Sequence, residues 1–266
     1  MKIYYYVHTG HRIGLDRFRR AVAIINELQK DMEITLLCSD FRIASEAKEF
    51  GVKISVGIDV VRNIPYIAHH GDKIIFDSDE VNPVMLEDMK QFFSSFIHLK
   101  ENEVVVDNKY FIHEEKTIKK VLFFGDDDYE KDLEKHFDFF DGLELDLQLG
   151  FYYFLDYEEM LKKRFKNYHE FEDYDEVITK TDIFITPSPQ AVLENLAAGG
   201  RPVYVQREDY TQSFVEIFEK LNIPIVKDYN KEQLLSTIDN LDNHNYGQIA
   251  RNSDKLVKFI KDNLNL

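Results

Sequence analysis

Short apolar runs alternate along the chain with stretches whose apolar positions recur every three or four residues. Residues 2–7, Lys-Ile-Tyr-Tyr-Tyr-Val, read as a buried strand. Residues 15–29 read as a helix with Phe18, Ala21, Val22, Ile25 and Leu28 on one face. Further strands are expected at 33–38, 53–56, 73–76 and 96–99, with helices at 45–50 and 82–94. Gly51 is placed to close the first of these helices. A weaker extended run lies at 104–106, and the alternation restarts at 120–124. The pattern then predicts a helix at 129–137, strands at 143–149 and 168–171, and a helix at 173–179. It continues with strands at 183–186, 202–206 and 223–226, interleaved with helices at 189–198, 212–221, 231–241 and 251–263.

Strands that alternate with helices predict parallel sheets and an α/β fold class. Each half starts its own series with a strand, so the pattern predicts two facing Rossmann-like domains. The link is expected near 115–119, giving domains 1–118 and 119–266, the second closed by the final helix 251–263. In open α/β sheets ligands sit beyond the carboxyl ends of the strands. The loops after the strands are therefore where chemistry is expected.

Charge narrows the partners. The 266 residues carry 33 Lys+Arg against 49 Asp+Glu, a formal charge of −16. Such a surface disfavours nucleic acid and anionic membranes, which select basic patches. It leaves a local anion site open, because helix N-termini and backbone N–H groups bind phosphate whatever the net charge. A hydrophobic content of 44% fits an ordered chain. The single cysteine, Cys38, cannot form an internal disulfide and suits a reducing, cytoplasmic setting. No run approaches the ~18 apolar residues of a membrane span, so no stable membrane insertion is expected. His69-His70 has no carboxylate or cysteine at ligand spacing and no metal site is expected, the acidic run Asp77–Glu80 being the one segment whose carboxylates suit a hard cation.

Four loops carry candidate chemistry. The first, His8-Thr9-Gly10-His11-Arg12-Ile13-Gly14-Leu15-Asp16-Arg17, joins a strand to a strong helix. Gly10 and Gly14 allow a tight turn and close approach of a ligand, and His11 is a candidate general base. The pair is not Gly-x-Gly-x-x-Gly, so no nicotinamide cofactor is expected. The second is Asp77-Ser78-Asp79-Glu80. Asp77 ends a strand and is a candidate to orient His11 or accept a sugar hydroxyl, while Asp79 and Glu80 suit a helix start. The third, Gly125-Asp126-Asp127-Asp128, reads as a solvated helix start with Gly125 permitting close backbone approach.

The fourth loop is the most informative. A strand ends at Thr186, Ser188 suits an N-cap, and Pro189 suits the first helical position. Ser188 and its neighbours form a candidate diphosphate cradle. Glu194, in the second turn, either accepts ribose hydroxyls or lies exposed as most glutamates do.

These residues carry a resemblance. Strand–Gly10-His11 with Arg17 on the adjoining helix, then Asp182-Ile-Phe-Ile-Thr and Glu194-Asn-Leu-Ala-Ala-Gly-Gly-Arg-Pro-Val, resemble the GT-B nucleotide-sugar enzymes. The match looks most like the UDP-sugar hydrolases of the pseudaminic acid pathway, relatives of the lipid II N-acetylglucosamine transferase. It covers most of the chain in order, including 73–77 and Gln212 ahead of a helix. The resemblance implies two facing Rossmann-like domains with UDP held by the C-terminal one. It implies His11 as base, Glu194 on the ribose, and Ser188, Pro189 and Gln190 at the phosphates. Gly10, Arg12, Gly14, Arg17, Gly125 and Gln212 complete the expected substrate-binding set, and the expected partner is a nucleotide-diphosphate sugar. The implied activity is hydrolysis of a UDP-linked amino or deoxy sugar in surface-glycan synthesis. The alternatives are transfer of that sugar to an acceptor and a non-catalytic binding module.

Overall fold

The apolar runs 3–7 and 121–124 supply central strands of two sheets. A computed structural model of the chain describes residues 1–207, 212–251 and 253–264. In chain order its elements are β1 (Ile3–Val7), α1 (Asp16–Leu28), β2 (Ile34–Cys38), α2 (Phe41–Glu46) and β3 (Ser55–Gly57). Next come β4 (Lys73–Asp77), α3 (Pro83–Phe92), β5 (Ser95–His98), β6 (Ile118–Phe123), α4 (Asp132–Lys135) and α5 (Phe137–Phe140). After these come β7 (Asp146–Gln148), α6 (Leu155–Arg164), β8 (Tyr168–His169), α7 (Tyr174–Lys180), β9 (Thr181–Thr186) and α8 (Pro189–Ala197). The chain continues through β10 (Arg201–Val205), α9 (Val215–Lys220), β11 (Ile225–Val226), α10 (Lys231–Asn240) and α11 (Ser253–Asn263).

All strand pairings are parallel among the described residues. The first sheet runs β3-β2-β1-β4-β5 and the second β11-β10-β9-β6-β7-β8. Numbered within its own half, the second is 3-2-1-4-5-6 read from the other edge, the doubly wound dinucleotide-fold order, and the first lacks only the sixth strand. A parallel sheet is covered on both faces, and its central strands are continuously apolar. Every residue of β1 and β4 is accordingly buried. Tyr4, Tyr6, Ile74 and Phe76 pack under one face of the first sheet, and Tyr6 stacks on Phe76 at 5.2 Å. Leu122, Phe124, Leu147, Ile185 and Val203 form the matching core of the second.

Two units result, Met1–Asp107 with Arg251–Leu266, and Asn108–Ala250. The boundary thus falls before 118/119, and the closing helix belongs with the first unit. Hydrogen bonding explains both differences. Tyr110 and Lys109 bind Asp175, and Lys116 Nζ donates to Thr179 O and Ala198 O, which fasten 108–117 to the second unit. Lys73 Nζ, buried at the start of β4, donates to Leu264 O, and Ser95 Oγ reaches Asn263 O at 2.9 Å, so α11 is bonded to the first sheet.

Local differences have local causes. Asp40 caps α2 by accepting from Arg42 N and Ile43 N, so that helix starts at Phe41 instead of 45. The expected helix 129–137 breaks into α4 and α5 around His136. Residues 104–106 join no sheet, although Val105 and Val106 are buried. The helix α6 rises beside an aromatic run; only Tyr157 and Leu161 of it are buried, too thin a stripe to announce a helix. No helix among the described residues is long and apolar enough to cross a membrane.

Candidate functional site

Doubly wound sheets bind ligands at the topological switch point, outside the carboxyl ends of the first and fourth strands. In the first unit these strands are β1 and β4. His8 N donates to Asp77 O at 3.1 Å and ties their ends together. The loop after β1 then folds on itself. Gly10 O accepts from Ile13 N at 3.1 Å and from Gly14 N at 2.9 Å, while Thr9 Oγ1 donates to Gly14 O at 2.6 Å. Gly10 and Gly14 take φ of 141° and 76°, and Arg12, at 66°, is held in a region that costs a side-chain-bearing residue energy.

The candidates from this unit separate. His11 and Arg12 are exposed. His11 Nε2 lies 2.7 Å from Arg42 Nη2. A guanidinium can only donate, so Nε2 accepts and the ring proton sits on Nδ1. Arg17 binds Asp79 and reaches Glu101 at 3.4 Å. Asp77 turns into the core instead of toward the loop and is 1% exposed. Arg20 grips both its oxygens, Nε–Oδ2 being 3.1 Å, and Tyr5 OH donates to Oδ2 at 2.9 Å. Arg20 Nη1 also donates to Lys100 O, Glu101 O and Glu103 O. Asp77 is thus half of a saturated ion pair, a different station from the His11-orienting one expected.

A different set meets at this end. Glu80 Oε2 accepts from Tyr6 OH and, at 3.1 Å, from Ser78 Oγ, while His8 Nε2 lies 3.9 Å from Oε1. His98 Nε2 donates to Ser78 O at 2.9 Å. Burial lowers the His8 pKa from its ordinary 6.5, with Glu80 pulling the other way. Burial likewise raises the Tyr6 phenol.

In the second unit the switch point lies between β6 and β9. Gly125 takes φ 104° and leads into Asp126, Asp127 and Asp128, which are 1%, 6% and 4% exposed. The acidic run is therefore buried, not a solvated helix start. Asp128 accepts from Asp132 N, Leu133 N and Tyr157 OH at 2.8, 3.0 and 2.5 Å, and Asp127 from Tyr129 N at 2.8 Å. Arg207 lies over the Phe124 ring at 4.5 Å, donates to Phe124 O, and approaches Asp128 at 4.0 Å. Burial still raises the Asp128 carboxyl above its ordinary value. Gly150 packs against this loop so closely that a Cβ there would stand 2.4 Å from Gly125 O.

At the end of β9, Ser188 caps α8. Its Oγ accepts from Ala191 N at 3.1 Å, its own N–H donates to Thr186 Oγ1 at 3.0 Å, and Pro189 opens the helix. Glu194 is 1% exposed, so it does not lie on a solvated face. Tyr174 OH donates to its Oε2 at 2.8 Å and Gln190 Nε2 to its Oε1 at 2.9 Å. The structure thus joins Ser188, Pro189, Gln190 and Glu194 in one capped helix on the strand next to that of Gly125. Gln212 lies exposed before α9, its carbonyl accepting from Val215 N. Arg201 is spent on Asp182, at 2.7 and 2.6 Å, and on Asp242 at 2.5 Å.

No protein-family model matches the sequence, and no curated protein matches it. Solved structures do match. The UDP-GlcNAc 2-epimerase of Methanocaldococcus jannaschii, in complex with UDP-GlcNAc and UDP, superposes with a TM-score of 0.61 at 10% identity. That match covers 98% of this chain and 100% of the epimerase. S. aureus MnaA with UDP gives 0.58 at 12% identity over 100% and 98% of the two chains. A glycosyltransferase from Rickettsia africae gives 0.52 at 9% identity over 99% and 93%. The fold is GT-B-like.

In a GT-B-like chain the ends of the strands matter more than the size of a cavity. A cavity of about 560 Å³ opens in the second unit among Ile118, Lys120, Asp146, Phe165 and Asn167. It sits at the amino ends of β6 and β7, away from the switch point. His8 and Glu80 meet at this end although sequence reasoning gave neither a chemical role. Their signal was positional: each comes after the carboxyl end of one of two strands that the doubly wound order makes neighbours. Cys38, by contrast, is buried, and burial pushes its thiol up to about 12, far from the reactive range.

Proposed function

We propose that this chain is a nucleotide-sugar-processing enzyme that binds a UDP-linked amino or deoxy sugar and breaks the bond between sugar and diphosphate. The observation that carries the reading is α8. It starts at the carboxyl end of β9, next to the switch point, with a buried serine cap, and holds a buried glutamate in its second turn. A helix N-terminus there favours a diphosphate by its dipole and its backbone donors. The assignment gives Ser188, Pro189 and Gln190 to the diphosphate and Glu194 to the ribose. Gly125 and the folded-back turn of Gly10 and Gly14 let ligand approach backbone; Arg12 and Arg17 belong to the segment of that turn, and Gln212 stands ahead of α9. The matched epimerase and MnaA structures hold UDP, which supports the same ligand class.

Hydrolysis and transfer share this bond cleavage and differ in the oxygen that attacks. The match to a glycosyltransferase supports transfer as a second reading. A thermal-shift series with UDP, UDP-GlcNAc and ADP tests the binding. Ligand at 100 times Kd stabilises by about 2.7 kcal/mol, a readily seen shift. Uridine nucleotides are expected to raise the melting temperature. No shift at millimolar concentration contradicts the assignment and leaves a binding-incompetent shell. UDP release in buffer alone marks hydrolysis, and release only with an added hydroxyl acceptor marks transfer.

A further inference from the structure

The first unit holds an acid–base pair that the expected site did not contain, and its role rests on the nucleotide-sugar function proposed for the chain. We propose that His8, not His11, is the acid–base residue of this enzyme, with Glu80 as its positioning residue. Three observations carry it. First, His8 and Glu80 come after β1 and β4, on either side of the switch point where a doubly wound sheet places its ligand. Second, Glu80 is fixed. Tyr6, buried in the sheet, and Ser78 hold Oε2, and His98 holds Ser78 in turn, which leaves Oε1 toward His8. Third, His11 is ill placed for the task, because the nitrogen that accepts from Arg42 is the lone pair a neutral ring needs as base.

The proposal puts the proton on Nε2, the nitrogen 3.9 Å from Glu80 Oε1, which leaves the lone pair of His8 on Nδ1. The 3.9 Å separation is longer than a hydrogen bond, and such pairs tighten in the substrate complex. Nδ1 takes the proton of a water or acceptor hydroxyl. That oxygen forms a bond to the anomeric carbon, the bond from that carbon to the diphosphate oxygen breaks, and its electron pair leaves with UDP. The imidazolium beside Glu80 then releases its proton to solvent or to the departing diphosphate. Burial and three groups set the ring's titration: Glu80 and Asp79 favour the proton, while burial and Arg17 disfavour it.

The test compares His8→Gln, Glu80→Gln and His11→Gln with the unaltered enzyme on UDP-GlcNAc, with UDP binding measured for each. His8→Gln is expected to lose about 10²–10⁴-fold in turnover with UDP binding kept, a general-base contribution. His11→Gln is expected to lose less than about tenfold. Glu80→Gln should move the acid limb of the rate profile to lower pH, because Glu80 raises the His8 pKa; a merely structural glutamate would leave that limb in place. A larger loss in His11→Gln, or an unmoved limb in Glu80→Gln, overturns the inference while the nucleotide site stands. If turnover escapes detection, NMR titration of the His8 ring with UDP-GlcNAc decides. Movement of its resonances supports the assignment, and bound nucleotide without movement overturns it. Failure to bind any nucleotide sugar overturns the proposed function, and the inference with it.

Discussion

The two sheets end in acidic side chains, all sealed in the second unit and only partly so in the first. Beyond β6 and on α8 the carboxylates are sealed: Asp128 under Tyr157 and two backbone N–H groups, Glu194 between Tyr174 and Gln190. Beyond β4 a sealed pair, Arg20 with Asp77, lies beside a looser one, His8 with Glu80. Saturated groups keep fixed positions and serve as rigid walls, caps and acceptors. A half-buried imidazole 3.9 Å from its carboxylate retains a proton to exchange. The second unit therefore presents fixed acidic groups at its strand ends, and the first presents one that can still exchange a proton.

The largest expected effect attacks the sealed pair of the first unit. Asp77→Ala leaves Arg20 buried without its counter-ion and should cost about 3–5 kcal/mol in urea unfolding. A loss below about 1 kcal/mol would show that Asp77 is not structural and would reopen its catalytic reading. Next comes Gly150→Ala in the second unit. The added Cβ meets backbone at 2.4 and 2.8 Å, so strain of about 1–3 kcal/mol is expected. A neutral outcome would mean that the Gly125 loop is free to shift.

Glu194→Gln keeps the shape of the sealed acceptor and removes its charge. UDP affinity by calorimetry should fall about tenfold, or about 1.4 kcal/mol, with the circular dichroism spectrum unchanged. Unaltered affinity removes Glu194 from the ribose. The smallest effect concerns pH. Burial lowers the His8 and His136 pKa values below the 6.5 of the unfolded chain, so the unfolded state binds more protons there. The neutral rings contribute fully above pH 6.5, and that contribution declines as pH falls through 6.5 toward the folded values. His8→Gln should flatten this part of the stability curve. An unchanged slope would mean that His8 titrates as it does in water.

Much of the fold was legible because it rests on local pattern. The runs that became β1, β4 and β9 each hold three or more consecutive apolar residues, and α1 and α8 carry clear faces or caps. What escaped depends on distant partners. Asp77 looks like a site residue until Arg20, 57 positions away, closes on it. The Asp126–Asp128 run looks solvated until Tyr157 and Arg207 cover it. Helix α6 buries too few side chains to mark itself, and the unit boundary is set by the bonds of Tyr110 and Lys116 to later segments. The site was half legible for the same reason. The capped helix at Ser188 is a contiguous motif, whereas the His8–Glu80 pair exists only once β1 and β4 lie side by side.

Hydrogen–deuterium exchange with and without UDP tests the central claim most directly, because it locates the ligand without presupposing a residue. Slowed exchange is predicted to concentrate at 186–194, the end of β9 and the start of α8. Protection at 117–120 and 164–167, around the cavity at the amino ends of β6 and β7, or no protection at saturating UDP, would contradict it.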